Sequence, residues 1–137
     1  MFDWKDEFSC NVDLIDSQHK RLLEIGSKLY HIVRDADLYD HYDEIVECLH
    51  ELADYTVYHF QSEEELMLSS NYLPYFTHKQ EHQKFIDKVN DVLRQDIDDK
   101  QKKITMDIII FIADWIEKHI LKHDTAFGKF FNLQKKS

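Results

Sequence analysis

Four side chains in the middle of the chain combine metal-binding chemistry with a regular spacing. His59 and Glu63 are four residues apart, and His78 and His82 repeat that interval after a turn that contains the only proline. An α-helix has about 3.6 residues per turn, so side chains four residues apart lie on one face, one turn above the other. Imidazole and carboxylate groups arranged in this way are suitable ligands for divalent transition metals. We therefore interpret the chain as a scaffold for a metal site.

Two more histidines stand where their helices should be apolar. His19 follows Ile15 by four residues and precedes Leu22 by three, which is the spacing of a buried helix seam. His119 lies four residues after Trp115 on the equivalent line of the last predicted helix. A single histidine at such a position is more often a hydrogen-bonded core residue than a ligand. Several of them buried without partners would cost several kcal/mol each, which favours a bound cation.

The number of donors favours two ions rather than one. A zinc site uses four protein ligands or fewer, whereas six candidates share the predicted interior. A carboxylate among imidazoles can bridge two cations, and this donor mixture suits iron, zinc, copper or nickel better than magnesium or calcium. Spacing does not choose among these metals. The six candidates are His19, His59, Glu63, His78, His82 and His119.

The remaining helical histidines are expected outside the site. His50 precedes His59 by nine residues and lies about 180° away around the helix, and His31 lies about 120° from His19. His41 stands at the edge of a loop. We assign these three to solvent or to structural roles.

The elements that must position these donors are predicted to be helical. The chain of 137 residues has two glycines and one proline, and its apolar residues recur with helical period. Four helices with short loops favour an all-α, up-down-up-down antiparallel four-helix bundle, to which we add a short C-terminal helix. We predict one domain over 1–137, with an extended N-terminal arm at 1–13, helices at about 15–34, 42–68, 75–96 and 105–122, and a tail at 124–137.

Composition excludes several classes of partner. The net charge is −10, and lysines and arginines adjoin only in pairs, such as the closing Lys135-Lys136, so neither nucleic acid nor an anionic membrane is an expected partner. The acidic first residues do not fit a signal peptide, and no apolar run is long enough to span a bilayer. Cys10 and Cys48 do not make a disulfide framework. We expect a cytoplasmic protein, whose protein partner the sequence does not indicate.

Two other metal architectures fit only parts of the sequence. The ferritin-like carboxylate bundle uses Glu-x-x-His motifs, and the only one here, from Glu47 to His50, points away from the seam. The segment from His78 to His82 also spells H-x-x-E-H, in which two histidines bind zinc and the glutamate activates water in a peptidase. That alternative leaves His19 unexplained and requires a strand to hold a peptide, which the sequence does not predict.

Motifs over nearly the whole chain resemble those of the hemerythrins, the single-domain bacterial members in particular. These motifs are Trp4, Asp16-Ser-Gln-His19, His59-Phe-Gln-Ser-Glu63-Glu, His78-Lys-Gln-Glu-His82 and Trp115-Ile-Glu-Lys-His119-Ile-Leu-Lys-His-Asp124. The resemblance implies a non-haem diiron protein that binds O2 reversibly, for oxygen storage, delivery or scavenging, and that is not an enzyme. The alternative is a sensor of O2, redox state or nitric oxide, or a diiron oxidase or peroxidase, using the same site.

The resemblance also implies roles for individual residues. One iron is expected to be bound by three histidines, His78, His82 and His119. The other is expected to be bound by His19 and His59 and to keep an open position for O2. An oxo or hydroxo group and two carboxylates, Glu63 and Asp124, are expected to bridge the irons. The apolar pocket for O2 is expected to be lined by Phe60, Trp115, Ile116 and Ile120.

Two positions need more than spacing to be interpreted. His123 lies four residues after His119, whereas Asp124, at five residues, lies about 140° away on a straight helix. The resemblance favours Asp124, which requires the helix to bulge or unwind near its end. Gly26, on the seam of the first helix, indicates either tight packing or extra space beside the pocket. Extra space would give O2 a wider path.

Overall fold

Helices make up most of the described chain and confirm the all-α prediction. The computed structural model describes residues 2–35, 42–94 and 101–135. Among these residues the long helices are α1 (Asp13–Asp35), α2 (Tyr42–Ser69), α3 (Tyr75–Arg94) and α4 (Gln101–His119). A π-helical turn, Ile120–Asp124, joins α4 to a shorter helix, α5 (Thr125–Lys135).

The four long helices form a ring of neighbours. Helix α1 contacts α2 and α4, and α3 contacts α2 and α4. This is the arrangement predicted for an up-down-up-down antiparallel bundle. The helices bury an apolar stripe in the middle, and the most enclosed side chains there include Leu29, Leu49, Leu52, Phe85 and Ile112. The bundle therefore supplies a tightly packed, apolar interior around any polar group placed on its seams.

The turn between α2 and α3 is built as its residues predict. Asn71 adopts a left-handed conformation with φ 57°, which asparagine tolerates better than most residues. The Tyr72 N–H donates a hydrogen bond of 3.0 Å to the Met67 carbonyl, closing the end of α2. Pro74 stands directly before α3, where its missing N–H costs little. The turn therefore sets how His78 and His82 on α3 face the pair on α2, His59 and Glu63.

The N-terminal arm covers the bundle and explains Gly26. The described part of the arm contains a 3-10 turn, Asp6–Phe8, and buries Phe2 and Phe8. A Cβ atom at Gly26 would clash with the Phe2 ring, whose Cγ would lie at 3.0 Å. The interpretation of Gly26 as extra space for O2 is therefore wrong, because the ring of Phe2 fills that space.

Several predicted boundaries need correction. Helix α4 begins at Gln101, four residues before the predicted start at 105, and gives way to the π-helical turn at Ile120. Helix α3 is described as far as Arg94, so its predicted end at about 96 lies outside the described residues, as does His41. The predicted short C-terminal helix is confirmed and has eleven residues. It buries Phe127 against a second apolar cluster made by Cys10, Val12, Ile15 and Met67.

Within the described ranges, every helix is either too short or too polar to span a lipid bilayer. Cys10 and Cys48 are both free and buried. The cytoplasmic location expected from the cysteines and the polar first residues stays a prediction.

Candidate metal centre

Seven buried side chains from four helices and the π-helical turn meet inside the bundle. Helix α2 contributes His59 and Glu63 from one face, as their four-residue spacing predicts. Each of the seven is at most 5% exposed. The full set is His19, His59, Glu63, His78, His82, His119 and Asp124. All six candidates from spacing are therefore brought together, and Asp124 joins them.

Three histidines converge on one side of this set. His119 Nε2 lies 3.0 Å from His78 Nε2 and 3.1 Å from His82 Nε2. A neutral imidazole has one ring hydrogen, so three ring nitrogens pointing at one another do not satisfy each other well. Two neighbouring donors at right angles around an ion, each at about 2.1 Å, would be about 3.0 Å apart. This geometry therefore fits three nitrogen ligands of one cation.

Two histidines occupy the opposite side. His59 Nε2 lies 3.2 Å from Glu63 Oε2, and His19 Nε2 lies 3.0 Å from Asp124 Oδ2. The donor atoms of these four residues all lie within 4.8 Å of one another. They form a second group that could hold a cation and that has fewer nitrogen donors than the first.

The two carboxylates belong to both groups. Glu63 directs Oε1 to His78 at 2.6 Å and Oε2 to His59 at 3.2 Å. Asp124 directs Oδ1 to His78 at 2.8 Å and to His119 at 3.1 Å, and Oδ2 to His19 at 3.0 Å. Each carboxylate therefore has one oxygen on each side, which is the arrangement that lets it bridge two cations.

The π-helical turn explains how Asp124 reaches the centre. A straight α-helix would rotate Asp124 about 140° away from His119, whereas a π-helical turn adds a residue per turn and brings it to the same side. His123 is half-buried, and its ring centroid is 5.1 Å from that of His119 and 5.7 Å from that of His78. Spacing on an ideal helix favours His123, but the structure groups Asp124 with the other donors.

The electrostatics of the centre are those of carboxylates surrounded by imidazoles. Burial opposes ionisation of Glu63, but close contacts with the imidazoles of His19, His59 and other histidines hold its pKa well below its usual range. Burial likewise opposes protonation of His78, but its contacts with Asp124 and Glu63 raise its pKa to about 9. The cluster thus stabilises positive charge. Protons supply that charge in the metal-free protein, and cations can replace them.

Several polar atoms of the centre have no hydrogen-bond partner within the described protein. They are His19 Nδ1 and Nε2, both oxygens of Glu63, His82 Nδ1, His119 Nδ1 and Asp124 Oδ2. Native proteins rarely bury polar atoms without partners, because each costs about 1–3 kcal/mol. Four of them, His19 Nε2, the Glu63 oxygens and Asp124 Oδ2, face the shared interior, and bound cations would satisfy them.

Aromatic and aliphatic side chains enclose the donors. The ring of Phe60 stacks on His82 with centroids 3.8 Å apart, and Trp115 stacks on His119 at 4.4 Å. Ile116 and Ile120 are each 2% exposed. These contacts restrict the orientation of two histidines and give the centre an apolar boundary.

The other sequence candidates lie away from these donors. His50, Glu47 and His31 are exposed, in agreement with their assignment to solvent. Glu81 of the H-x-x-E-H segment is half-buried and is not among the donors grouped with His78 and His82. The described structure therefore does not place Glu81 with the two histidines, as the peptidase alternative requires.

Sequence reasoning missed the partners of the outer histidine nitrogens. His59 Nδ1 lies 2.7 Å from Gln18 Oε1, and Cys10 lies close enough to His19 to form a third small group with Asp16. Burial raises the pKa of the Cys10 thiol, and the nearby His19 ring offsets only part of that effect. Gln18 precedes a ligand candidate in sequence, but only the packing of α1 on α2 shows that it contacts His59.

Comparisons with known proteins cover the same part of the chain. A family model described as "Hemerythrin HHE cation binding domain" matches residues 10–130. A bacteriohemerythrin from Clostridium acetobutylicum is 39% identical over 127 residues, which cover 93% of this chain and 98% of that protein. A bacteriohemerythrin from Methylococcus capsulatus is 34% identical over 122 residues, with 89% of each chain covered. The crystal structure of a wild-type hemerythrin matches with a TM-score of 0.77 and 31% identity, covering 94% of this chain and 96% of that one. The matched region contains all seven residues of the centre.

Proposed function

Because the chain belongs to the hemerythrin family, we propose that it is a non-haem diiron protein that binds O2 reversibly. In this proposal the group of three histidines, His78, His82 and His119, holds one iron. His19 and His59 hold the other, and Glu63 and Asp124 bridge the two. The observation that carries the proposal is the overlap of the two donor groups in two carboxylates, each with one oxygen on each side.

The unequal donor groups support a division of roles between the two irons. An iron with three histidines and two shared carboxylates has more of its positions taken by protein than an iron with two histidines and the same carboxylates. The proposal therefore gives the open position for O2 to the side of His19 and His59. A pair of ferrous ions supplies the two electrons that allow O2 to be held and released without net oxidation.

The contribution of the chain is to hold the donors and to keep water away. Phe60, Trp115, Ile116 and Ile120 surround the donors with apolar surface, and three of them are almost fully buried. Water or protons reaching the bound ligand would promote irreversible oxidation of the irons. An apolar lining that excludes water therefore favours reversible binding. We propose these four residues as the lining of the O2 pocket.

Membership in this family supports oxygen binding rather than catalysis. Oxygen storage, delivery or scavenging is our preferred role, and sensing is the alternative that uses the same centre. Stopped-flow mixing of the reduced, iron-loaded protein with O2 distinguishes the two. A coloured oxygenated form that persists and releases O2 under vacuum is expected for storage or delivery. Immediate and irreversible oxidation would contradict that role and favour a sensor or an oxidase.

A further inference from the structure

The outer nitrogen of His59 has a neutral partner inside the protein. His59 Nδ1 lies 2.7 Å from Gln18 Oε1, and the two residues are 1% and 5% exposed. The inner nitrogen, Nε2, faces Glu63 Oε2 at 3.2 Å. An imidazole that binds a metal through Nε2 carries its hydrogen on Nδ1, so His59 donates this bond to the amide oxygen.

Gln18 thereby connects the two histidines of one donor group. It is adjacent to His19 on α1 and contacts His59 on α2. A rotation of the His59 ring would break its hydrogen bond and leave a buried amide oxygen without a partner, which is costly. The amide therefore favours the single ring orientation that points Nε2 into the centre.

The three-histidine group has a charged neighbour at the comparable place. His82 Nδ1 faces Glu64 Oε2 at 3.5 Å, and Glu64 is adjacent to Glu63 on α2. A carboxylate near the outer nitrogen makes an imidazole a stronger donor and favours the oxidised state of a bound metal, whereas a neutral amide does so less. The residues that face the outer nitrogens of His59 and His82 thus differ in charge between the two halves of the centre.

We propose that Gln18 is a positioning residue for the two-histidine half of the centre and that its lack of charge favours the reduced state of that half. This inference rests on the proposed diiron function. The amide fixes the orientation of His59, while its neutrality keeps the iron of His19 and His59 easier to reduce than a carboxylate partner would.

Substitutions at Gln18 separate the orienting effect from the charge effect. Gln18→Leu removes the acceptor, and Gln18→Glu keeps both its size and an acceptor oxygen but adds a charge. Gln80→Glu is the matched control, because Gln80 is exposed on α3 and the substitution adds the same charge at the surface. Ferrous iron binding is measured without O2 by competition with a chelator, and the reduction potential of the loaded protein is measured by redox titration.

We expect Gln18→Leu to weaken binding of one of the two irons by about 10-fold to 100-fold, the usual effect of losing such a partner. We expect Gln18→Glu to restore iron affinity but to lower the reduction potential, and Gln80→Glu to match the wild type in both. The Glu variant also tests the charge effect if the Leu variant does not fold. Unchanged affinity in a folded Leu variant, or an unchanged potential in the Glu variant, would overturn the inference. An equal drop in potential from Gln80→Glu would overturn it as well.

Iron binding by the wild type distinguishes an error in the diiron function from an error in the role of Gln18. A wild-type chain that does not bind two irons contradicts the proposed function itself. A wild-type chain that binds two irons, with Gln18 variants that behave identically to it, contradicts only the role assigned to Gln18.

Discussion

Asp124 Oδ1 lies 2.8 Å from His78 Nε2, although the two residues are 46 positions apart in the chain. The contact exists because the last turn before α5 is π-helical and rotates Asp124 into the bundle. The neighbouring His123 stays at the edge of the centre, half-buried. One local change of helix geometry therefore decides which of two adjacent residues can be a bridging ligand.

Replacing Asp124 should disrupt the iron pair, and replacing His123 should not. We expect Asp124→Ala to lose one carboxylate from both donor groups, so that the chain retains less than its full iron content and the optical spectrum of an oxidised iron pair is lost. His123→Ala is the matched variant and should keep both. Iron analysis together with the optical spectrum checks this prediction. An intact spectrum in Asp124→Ala, with a lost one in His123→Ala, would show that the bridging residue is assigned wrongly.

Replacing Gly26 with alanine should not give the stabilisation that alanine usually gives inside a helix. Alanine is favoured over glycine inside a helix by about 1 kcal/mol, but its Cβ would clash with the Phe2 ring. We expect Gly26→Ala to lower the free energy of unfolding by about 1–3 kcal/mol, the cost of overpacking a core. Chemical denaturation measures this value.

The Phe2→Ala background provides the control for that substitution. With the ring removed, Gly26→Ala should become stabilising, by about the 1 kcal/mol of helix propensity. Equal effects of Gly26→Ala in both backgrounds would mean that the Phe2 ring is not what requires a glycine at this position.

Opening a gap in the apolar wall should shorten the lifetime of the oxygenated protein. Ile120 is 2% exposed, whereas Ile110, which lies ten residues earlier on α4, is 53% exposed. We expect Ile120→Ala to admit water and to speed oxidation of the irons severalfold, while also lowering the free energy of unfolding by about 2–5 kcal/mol. Ile110→Ala should change neither. The decay of the oxygenated spectrum at a temperature where both variants are folded is the measurement, and equal decay in the two would contradict the assigned wall.

The stability of the metal-free protein should depend on the charge of His78. Burial opposes that charge, but Asp124 and Glu63 raise the folded-state pKa from 6.5 to about 9. A raised pKa stabilises the folded state fully below pH 6.5, and this stabilisation is lost as the pH rises through about 9. We expect metal-free protein to lose up to a few kcal/mol of stability between about pH 6.5 and 10 from this source.

Bound iron should remove that pH dependence, since a histidine that binds a metal is already deprotonated. Denaturation series at several pH values, with and without iron, check the prediction, and His78→Gln should flatten the metal-free curve. Metal-free stability that rises steadily from pH 6.5 to 10 would contradict the role of His78 as a proton-holding partner of the two carboxylates.

The helix period accounts for what the sequence could predict and for what it could not. Seam spacing identifies His19, His59 and Glu63 and the bundle that brings them together, because it assumes only regular helices. The same assumption misplaces Asp124, since a π-helical turn leaves no mark in residue spacing. The roles of Phe2 and Gln18 depend on contacts between distant segments, so they become visible only when the arm and α1 are packed in place.

Iron content tests the central proposition most directly, because two overlapping donor groups that share Glu63 and Asp124 should hold two ions at once. The purified chain, loaded with ferrous iron without O2 and then freed of loosely bound metal, should contain two irons per chain, and His59→Leu combined with His82→Leu should bind neither firmly. A wild-type chain that retains one iron or none, or a double variant that retains both, would contradict the account.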